Sequence, residues 1–174
     1  MAMSADHTAL QLAMIDYDKG DPRRIQHFTK VHSFARTIAL AEGVDEHTLH
    51  ILEAAAIVHD AGIHESERRY GDASGLHQEE LGPAVARPLL ETCGYEPDVV
   101  DRVCWLVAHH HHTAGITDID HQILVEADFL VNCFEDAPDD PDRRRRMAIS
   151  ARDKFFRTAT GIHLLEAQFL KERG

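Results

Sequence analysis

The chain has 174 residues, 44% hydrophobic and 28% charged, so it can bury a core without disulfides or a structural metal. Its 30 acidic residues against 18 lysines and arginines give a formal net charge of −12, which argues against a protein that binds DNA or RNA polymers. Histidine makes up 14 of the 174 residues, whereas ordinary usage is nearer ~2%. Because histidine is the commonest metal ligand and proton carrier near neutral pH, the composition indicates a metal or acid–base site.

The cysteines and the apolar runs narrow the class of protein further. Cys93, Cys104 and Cys133 are odd in number and form no CxxC pair, which excludes a disulfide framework and a cysteine-rich zinc module. The first ten residues lack the basic and apolar regions of a secretory signal, and no apolar run approaches the roughly 18 residues of a membrane span. We therefore expect a cytoplasmic protein with no membrane contact, folded as one domain over residues 1–174.

Apolar residues recur at intervals of three and four along most of the chain, which predicts amphipathic helices, and no segment alternates convincingly as a strand does. The first predicted helix covers 22–42, with Asp21 as N-cap and Pro22 at its first position, and the second runs from Asp45 to Gly62. Loops or turns are expected at 64–76, 113–118 and 136–142, and the remaining helices over 77–93, from Pro97, over 119–134, 143–157 and 161–171. The prediction is an all-α fold, a compact bundle of about seven or eight helices.

Polar residues interrupt three of the apolar helical patterns. His59 and Asp60 directly follow the apolar run 54–58, His27 lies on the apolar stripe of the first predicted helix, and Asp128 lies within an apolar helix. Burying such groups costs several kcal/mol unless they are paired or bind a metal. Taken singly, His27 is also typical of an ordinary amphipathic helix, and Asp128 of a pair with Asn132. Together they offer two imidazoles and two carboxylates. This mixture of ligands is more typical of a site for a divalent transition metal, Mg²⁺ or Mn²⁺ than of a structural zinc site.

These residues resemble the HD-domain superfamily of metal-dependent phosphohydrolases, whose pattern is His…His-Asp…Asp on a helical bundle. The matching segments are Arg24-Ile25-Gln26-His27, the run Ala-Ala-Ala-Ile-Val-His59-Asp60-Ala-Gly62, and Glu126-Ala127-Asp128, within about residues 22–134. The resemblance implies that His27, His59, Asp60 and Asp128 bind metal, with His32 as a second possibility for the first ligand.

Two more segments resemble the members that carry additional ligands. His77 opens the helix after the His-Asp loop, and residues 109–112 are four consecutive histidines, of which His109 and His110 are the expected ligands. The resemblance implies one or two divalent ions (Fe, Mn, Mg, Ni, Co or Zn), with Asp60 as the bridge if there are two. Residues His7, His47, His50, His64, His121 and His163 are assigned mainly to the surface or to loops.

The implied reaction is hydrolysis of a small phosphate ester or anhydride, a nucleotide first among the candidates, by metal-activated water. Asp60 would orient the water, and His77, His110 or Glu79 would transfer a proton. Many members carry Lys or Arg four residues after the motif aspartate, where this chain has His64, so the phosphate contacts are assigned to His64 and the nearby Arg68 and Arg69.

Alternatives stay open at this point. The same fold suits a non-catalytic domain that binds metal or nucleotide for regulation, and the implied set of metal ligands also permits a di-iron oxygenase. The basic run 143–146 is either a solvated face neutralised by Asp139, Asp140 and Asp142 or a phosphate contact. The C-terminal segment 143–171 is expected to pack on the bundle, although it could also form a homodimer interface.

Overall fold

The computed structural model describes residues 6–171, and every regular element among them is a helix. Along the chain the helices are α1 (His7–Tyr17), α2 (Pro22–Ala41), α3 (Glu46–Val58), α4 (Ile63–Tyr70), α5 (Gly75–Thr92), α6 (Pro97–Val107), α7 (Ile119–Glu135), α8 (Pro141–Lys154) and α9 (Ala159–Phe169). The predicted all-α fold is confirmed. None of the described helices is long and apolar enough to span a membrane.

Helices α3 and α7 form the centre of the bundle. Every residue from Ile51 to Val58 in α3 is buried, and α7 buries most of its length, including Asp128. Helix α2 packs against both, α6 packs against α3, and α5 packs against α6. The longest buried runs are therefore those that flank His59 and Asp128, so both residues lie in the interior.

The caps explain several helix boundaries. The side chain of Asp21 accepts a hydrogen bond from Arg24 N, and that of Asp45 accepts one from Thr48 N, as the sequence predicts. The prediction that the second helix runs to Gly62 is wrong, because α3 ends at Val58 and His59 is its C-cap. His59 still has helical backbone angles, and the chain then turns through a hydrogen bond from Ala61 N to the Val58 carbonyl.

Three segments differ from the sequence-based prediction. Helix α1 was not predicted, α4 occupies a segment expected to be a loop, and α8 begins at Pro141 inside the expected acidic loop. Helix α4 buries only Ile63 and Ser66, which is too few apolar positions for a visible period. His121, expected at the surface, is buried at 5% exposure.

Gly62 sets the position of the segment that follows the His-Asp pair. A Cβ at this position would lie 2.5 Å from the carbonyl oxygen of Gln78 and 2.8 Å from the backbone nitrogen of Gly82, both in α5. Only glycine allows the two backbones to approach this closely. This contact fixes the chain leaving Asp60 against α5.

A buried carboxylate joins the C-terminal helices to the centre. Glu126 in α7 is fully buried and accepts hydrogen bonds from Arg157 N and from the backbone and hydroxyl of Thr158, the N-cap of α9. Helices α8 and α9 therefore pack on the bundle, and Phe155, the C-cap of α8, lines the cavity beside the site described next.

Candidate metal centre

Four side chains meet at one point in the interior. We call them the primary group: His27 from the first half of α2, His59 and Asp60 from the turn after α3, and Asp128 from the middle of α7. His59 is fully buried, and His27 and Asp128 are 5% and 7% exposed. His27 therefore lies in the interior and faces the other members of the group.

The donor atoms of the primary group face one another. His27 Nε2 lies 3.2 Å from His59 Nε2, 3.2 Å from Asp128 Oδ1 and 3.3 Å from Asp60 Oδ2. His59 Nε2 lies 3.4 Å from Asp128 Oδ1 and 3.5 Å from Asp60 Oδ2. Ligand atoms about 2.1 Å from one ion lie about 3.0–3.4 Å apart when they subtend 90–109° at it, so this spacing fits a shared cation.

The other nitrogen of each imidazole is held by an acceptor. His59 Nδ1 donates to the carbonyl of Ala56 at 2.9 Å, and His27 Nδ1 donates to Glu135 Oε2 at 2.8 Å. A proton on Nδ1 leaves a lone pair on Nε2, directed at the centre of the group. Metal-binding histidines are commonly fixed in this way by a carbonyl or a carboxylate.

The charges in the group reinforce one another. Burial by itself would lower the pKa of His27, but the hydrogen bond to Asp128 and the charges of Asp60 and Asp128 outweigh burial and raise this pKa to about 9. Burial would raise the pKa of Asp128, yet its hydrogen bonds with His27 and His59 hold the value well below the usual range. Burial would also raise the pKa of Asp60, but the charges of His59 and His27 and the contact with His110 together outweigh burial and lower this pKa. The group therefore stabilises positive charge, of which a divalent ion supplies more than a proton does.

A second set of donors adjoins the primary group and shares Asp60 with it. While Asp60 Oδ2 faces His27 and His59, Asp60 Oδ1 lies 3.4 Å from His110 Nε2. Donor atoms of Asp60, His110 and His111 lie within 4.8 Å of one another. His110 is 1% exposed, and its Nδ1 donates to the Val107 carbonyl at 2.8 Å. Its buried Nε2 makes no hydrogen bond within the described residues, as expected of an atom positioned to bind a cation.

Comparison with known proteins gives the family. A family model of the HD domain matches residues 24–159, a range that includes both sets of donors. The chain belongs to the HD-domain family. No curated protein and no solved structure matches it. The HD domain is typical of a superfamily of metal-dependent phosphohydrolases. The described part of the chain contains groups of histidine and aspartate that could hold a metal.

We call the primary group and the second set of donors together the HD centre. The turn after α6 decides which histidines of the consecutive run face it. His110 and His111 do so, whereas His109 stacks on Trp105 with ring centroids 4.1 Å apart and contacts the Trp105 carbonyl through Nδ1. The structure does not bring the predicted ligand His109 to the HD centre, and His111 occupies that side instead. Because α6 ends at Val107, these residues form a turn, where the 100° step of a helix does not apply.

Other predicted residues lie apart from the HD centre. His77 is stacked on Tyr70 and bonded to Asp72, and His32 is bonded to Glu53, so neither joins the two donor sets. Arg68 and Arg69 are exposed, and both pair with Glu65.

His64 lies 3.1 Å from Asp18 Oδ1. The structure therefore places none of the three predicted phosphate contacts, His64, Arg68 and Arg69, on the cavity beside Asp128.

Three residues around the HD centre were missed as functional candidates. Glu135 follows Asp128 by seven residues, two helical turns, which is the signal that could have placed it on the same face of α7. Asn132, one turn after Asp128, donates to Asp128 Oδ1 at 2.9 Å, so the predicted polar pair forms within the site. His111 could not be distinguished from its neighbours in the run of four.

A cavity of about 230 Å³ opens beside the HD centre. It lies between α7 and the chain after α6, and part of its wall is aromatic. Its lining residues are His110, His111, Thr113, Val125, Asp128, Phe129, Asn132 and Phe155. A small molecule in this cavity would contact both the Asp128 carboxylate and the imidazole of His111.

Proposed function

We propose that this chain is a metal-dependent phosphohydrolase that cleaves a small phosphate ester or anhydride, with nucleotides as the first candidates. The observation that carries the proposal is the convergence of three imidazole Nε2 atoms and two aspartates at a buried point beside a cavity. We also propose that the whole chain, residues 1–174, forms a single HD-type domain.

The residues of the primary group would hold one divalent ion, and Asp60, His110 and His111 a second. When bound, such an ion lowers the pKa of water and neutralises phosphate charge. Asp60 offers one carboxylate oxygen to each set, so it would bridge the two positions. His110 would be held in the required tautomer by the carbonyl of Val107.

The chain's own residues would then orient the substrate. Asn132 fixes Asp128 through its amide and lines the same cavity, where its position suits contact with a phosphate oxygen. Phe129 and Phe155 cover one side of the cavity and would exclude water from the reacting phosphate. Because the chain carries a net charge of −12, an anionic substrate depends on cations at this site.

The test begins with the metal content of untagged protein by elemental analysis. We expect one or two equivalents in the wild type and none in Asp60→Asn, after both are reconstituted with Mn²⁺ or Fe²⁺. Asp16→Asn is the matched control, since Asp16 is an exposed carboxylate on α1, and it should keep the wild-type content.

Turnover of nucleoside mono-, di- and triphosphates is then measured with the metal that binds. Metal-stimulated release of phosphate that Asp60→Asn abolishes supports the proposal. Bound metal without hydrolysis of any phosphate would instead indicate a regulatory binding domain, and consumption of O₂ would indicate an oxygenase. Wild-type protein that binds no metal would refute the proposal.

A further inference from the structure

A second cavity, of about 440 Å³, adjoins the one at the metal centre. Thr113, Phe129 and Phe155 line both cavities, so the two cavities lie side by side between α7 and α8. We call the second cavity the α8 groove. Its other lining residues all come from α8 and are Arg146, Met147, Ser150, Ala151 and Lys154.

The residues of α8 form one stripe along the groove. Their spacing of one, three, one and three places them on a single face of the helix. Met147 and Ala151 make the middle of that face apolar. The rings of Phe129 and Phe155, whose centroids are 5.4 Å apart, form the opposite wall. The middle of the groove therefore suits an apolar or aromatic group.

The two ends of the stripe are cationic. Arg146 and Lys154 are separated by eight residues, about 12 Å along the helix axis. Both are exposed, and within residues 6–171 neither side chain forms an ion pair or a hydrogen bond.

Two neighbouring arginines of α8, unlike Arg146, donate hydrogen bonds from their side chains to backbone carbonyls. Arg144 donates to the carbonyls of Ala137 and Pro138, and Arg145 donates to the carbonyl of Leu170. Arg146 forms no ion pair with the acidic loop among the described residues, and it lines the groove.

We propose that the α8 groove binds the part of the substrate remote from the reacting phosphate, and that this part is an apolar body carrying a second anionic group. The inference rests on the proposed function, because it places the phosphate at the metal centre. It assigns to Arg146 and Lys154 the contacts with this second anionic group. Arg68 and Arg69 are less suited to that role, because both already pair with Glu65.

The experiment measures binding without requiring turnover. Alkyl phosphonates of increasing chain length, each with and without a carboxylate at the far end, are titrated calorimetrically into the protein in the presence of Mn²⁺. For chains that reach the groove, we expect the carboxylate to improve affinity about tenfold, as one charge-assisted hydrogen bond does. The double variant Arg146→Gln/Lys154→Gln should bring the affinity ratio of the paired ligands close to one.

The matched control is Arg143→Gln/Arg145→Gln, which removes the same charge from α8 outside the groove and should keep the wild-type ratio. A ratio near one in the wild type at every chain length would overturn the inference, and so would an equal loss in both double variants. Failure of the proposed function looks different, because phosphonates would then bind with the expected ratio while none of the matching phosphates is hydrolysed.

Discussion

The imidazoles of His27, His59 and His110 are each fixed by an acceptor for Nδ1, but the acceptors differ in kind. His59 and His110 use backbone carbonyls three residues earlier, which any sequence supplies where a helix ends. His27 lies within a helix, where the carbonyls are already bonded, and uses the side chain of Glu135. Lys30 also contacts Glu135 and holds it in place. Of these three acceptors, Glu135 is therefore the one that a single substitution can remove.

We expect Glu135→Ala to weaken metal binding about 10- to 100-fold, the usual effect of losing such a partner. Glu135→Gln retains an acceptor oxygen and should lose less affinity than Glu135→Ala. The measurement is the Kd for Mn²⁺ by calorimetry, with Asp136→Asn, the next carboxylate on the chain and an exposed one, as control. An unchanged Kd in Glu135→Ala would show that His27 needs no carboxylate.

The sequence identified the members of the primary group because their polarity conflicts with an apolar context. The sequence did not show that His111 rather than His109 faces the centre, because consecutive histidines have the same chemistry. Only the backbone of the turn after Val107 decides which of them faces Asp60. The sequence also could not show that Arg68 and Arg69, the predicted phosphate contacts, pair with Glu65.

At the scale of elements, α1 is attached to the bundle by a polar cluster at its first residue. The Tyr95 hydroxyl donates to His7 Nδ1 at 2.6 Å, and His7 Nε2 faces the buried Glu53 at 3.8 Å. The rings of His50 and His7 are 4.7 Å apart, and His32 bonds to the other oxygen of Glu53. The hydroxyl can donate to Nδ1 only while that nitrogen is unprotonated.

This cluster predicts acid sensitivity. Burial is the largest cause, and with the neighbouring His50 and His32 it outweighs the charges of Glu53 and Asp6 and lowers the pKa of His7 from 6.5 to about 4. The unfolded chain therefore binds more protons than the folded one between those pH values, so the free energy of unfolding falls as the pH falls through this window.

We expect the wild type to lose about 1–2 kcal/mol more stability than His7→Gln between pH ~7 and ~4.5. The measurement is urea unfolding at a series of pH values, and the difference between variants cancels the contribution of the metal centre. His163→Gln, an exposed position on α9, should follow the wild type. Parallel pH profiles of the wild type and His7→Gln would contradict the prediction.

For the whole molecule, the centre joins segments that are distant in sequence. Its donors come from α2, from the turns after α3 and α6, and from α7. An ion bound there contacts only the folded state, because these segments separate on unfolding. Binding should therefore stabilise the entire bundle by mass action.

We expect Mn²⁺ at about a thousand times its Kd to raise the free energy of unfolding by about 4 kcal/mol, seen as a higher Tm in calorimetry. Asp60→Asn should show little of this rise, and Asp16→Asn should show all of it. An equal rise in all three proteins would indicate that the ion binds the many exposed carboxylates rather than the centre.

The sequence by itself determined the helical class, most of the long helices and the four polar residues of the primary group, because apolar periodicity and its interruptions are local properties. It did not predict α1 and α4, because each buries only two side chains, one of them polar in α4, and so shows no clear apolar periodicity.

Tertiary structure alone decided the rest. It placed Glu135 against His27, turned His111 rather than His109 toward Asp60, and set Arg146 and Lys154 along a groove beside the centre. These relationships depend on how helices pack and where turns direct their side chains, and residue spacing along one chain does not specify either.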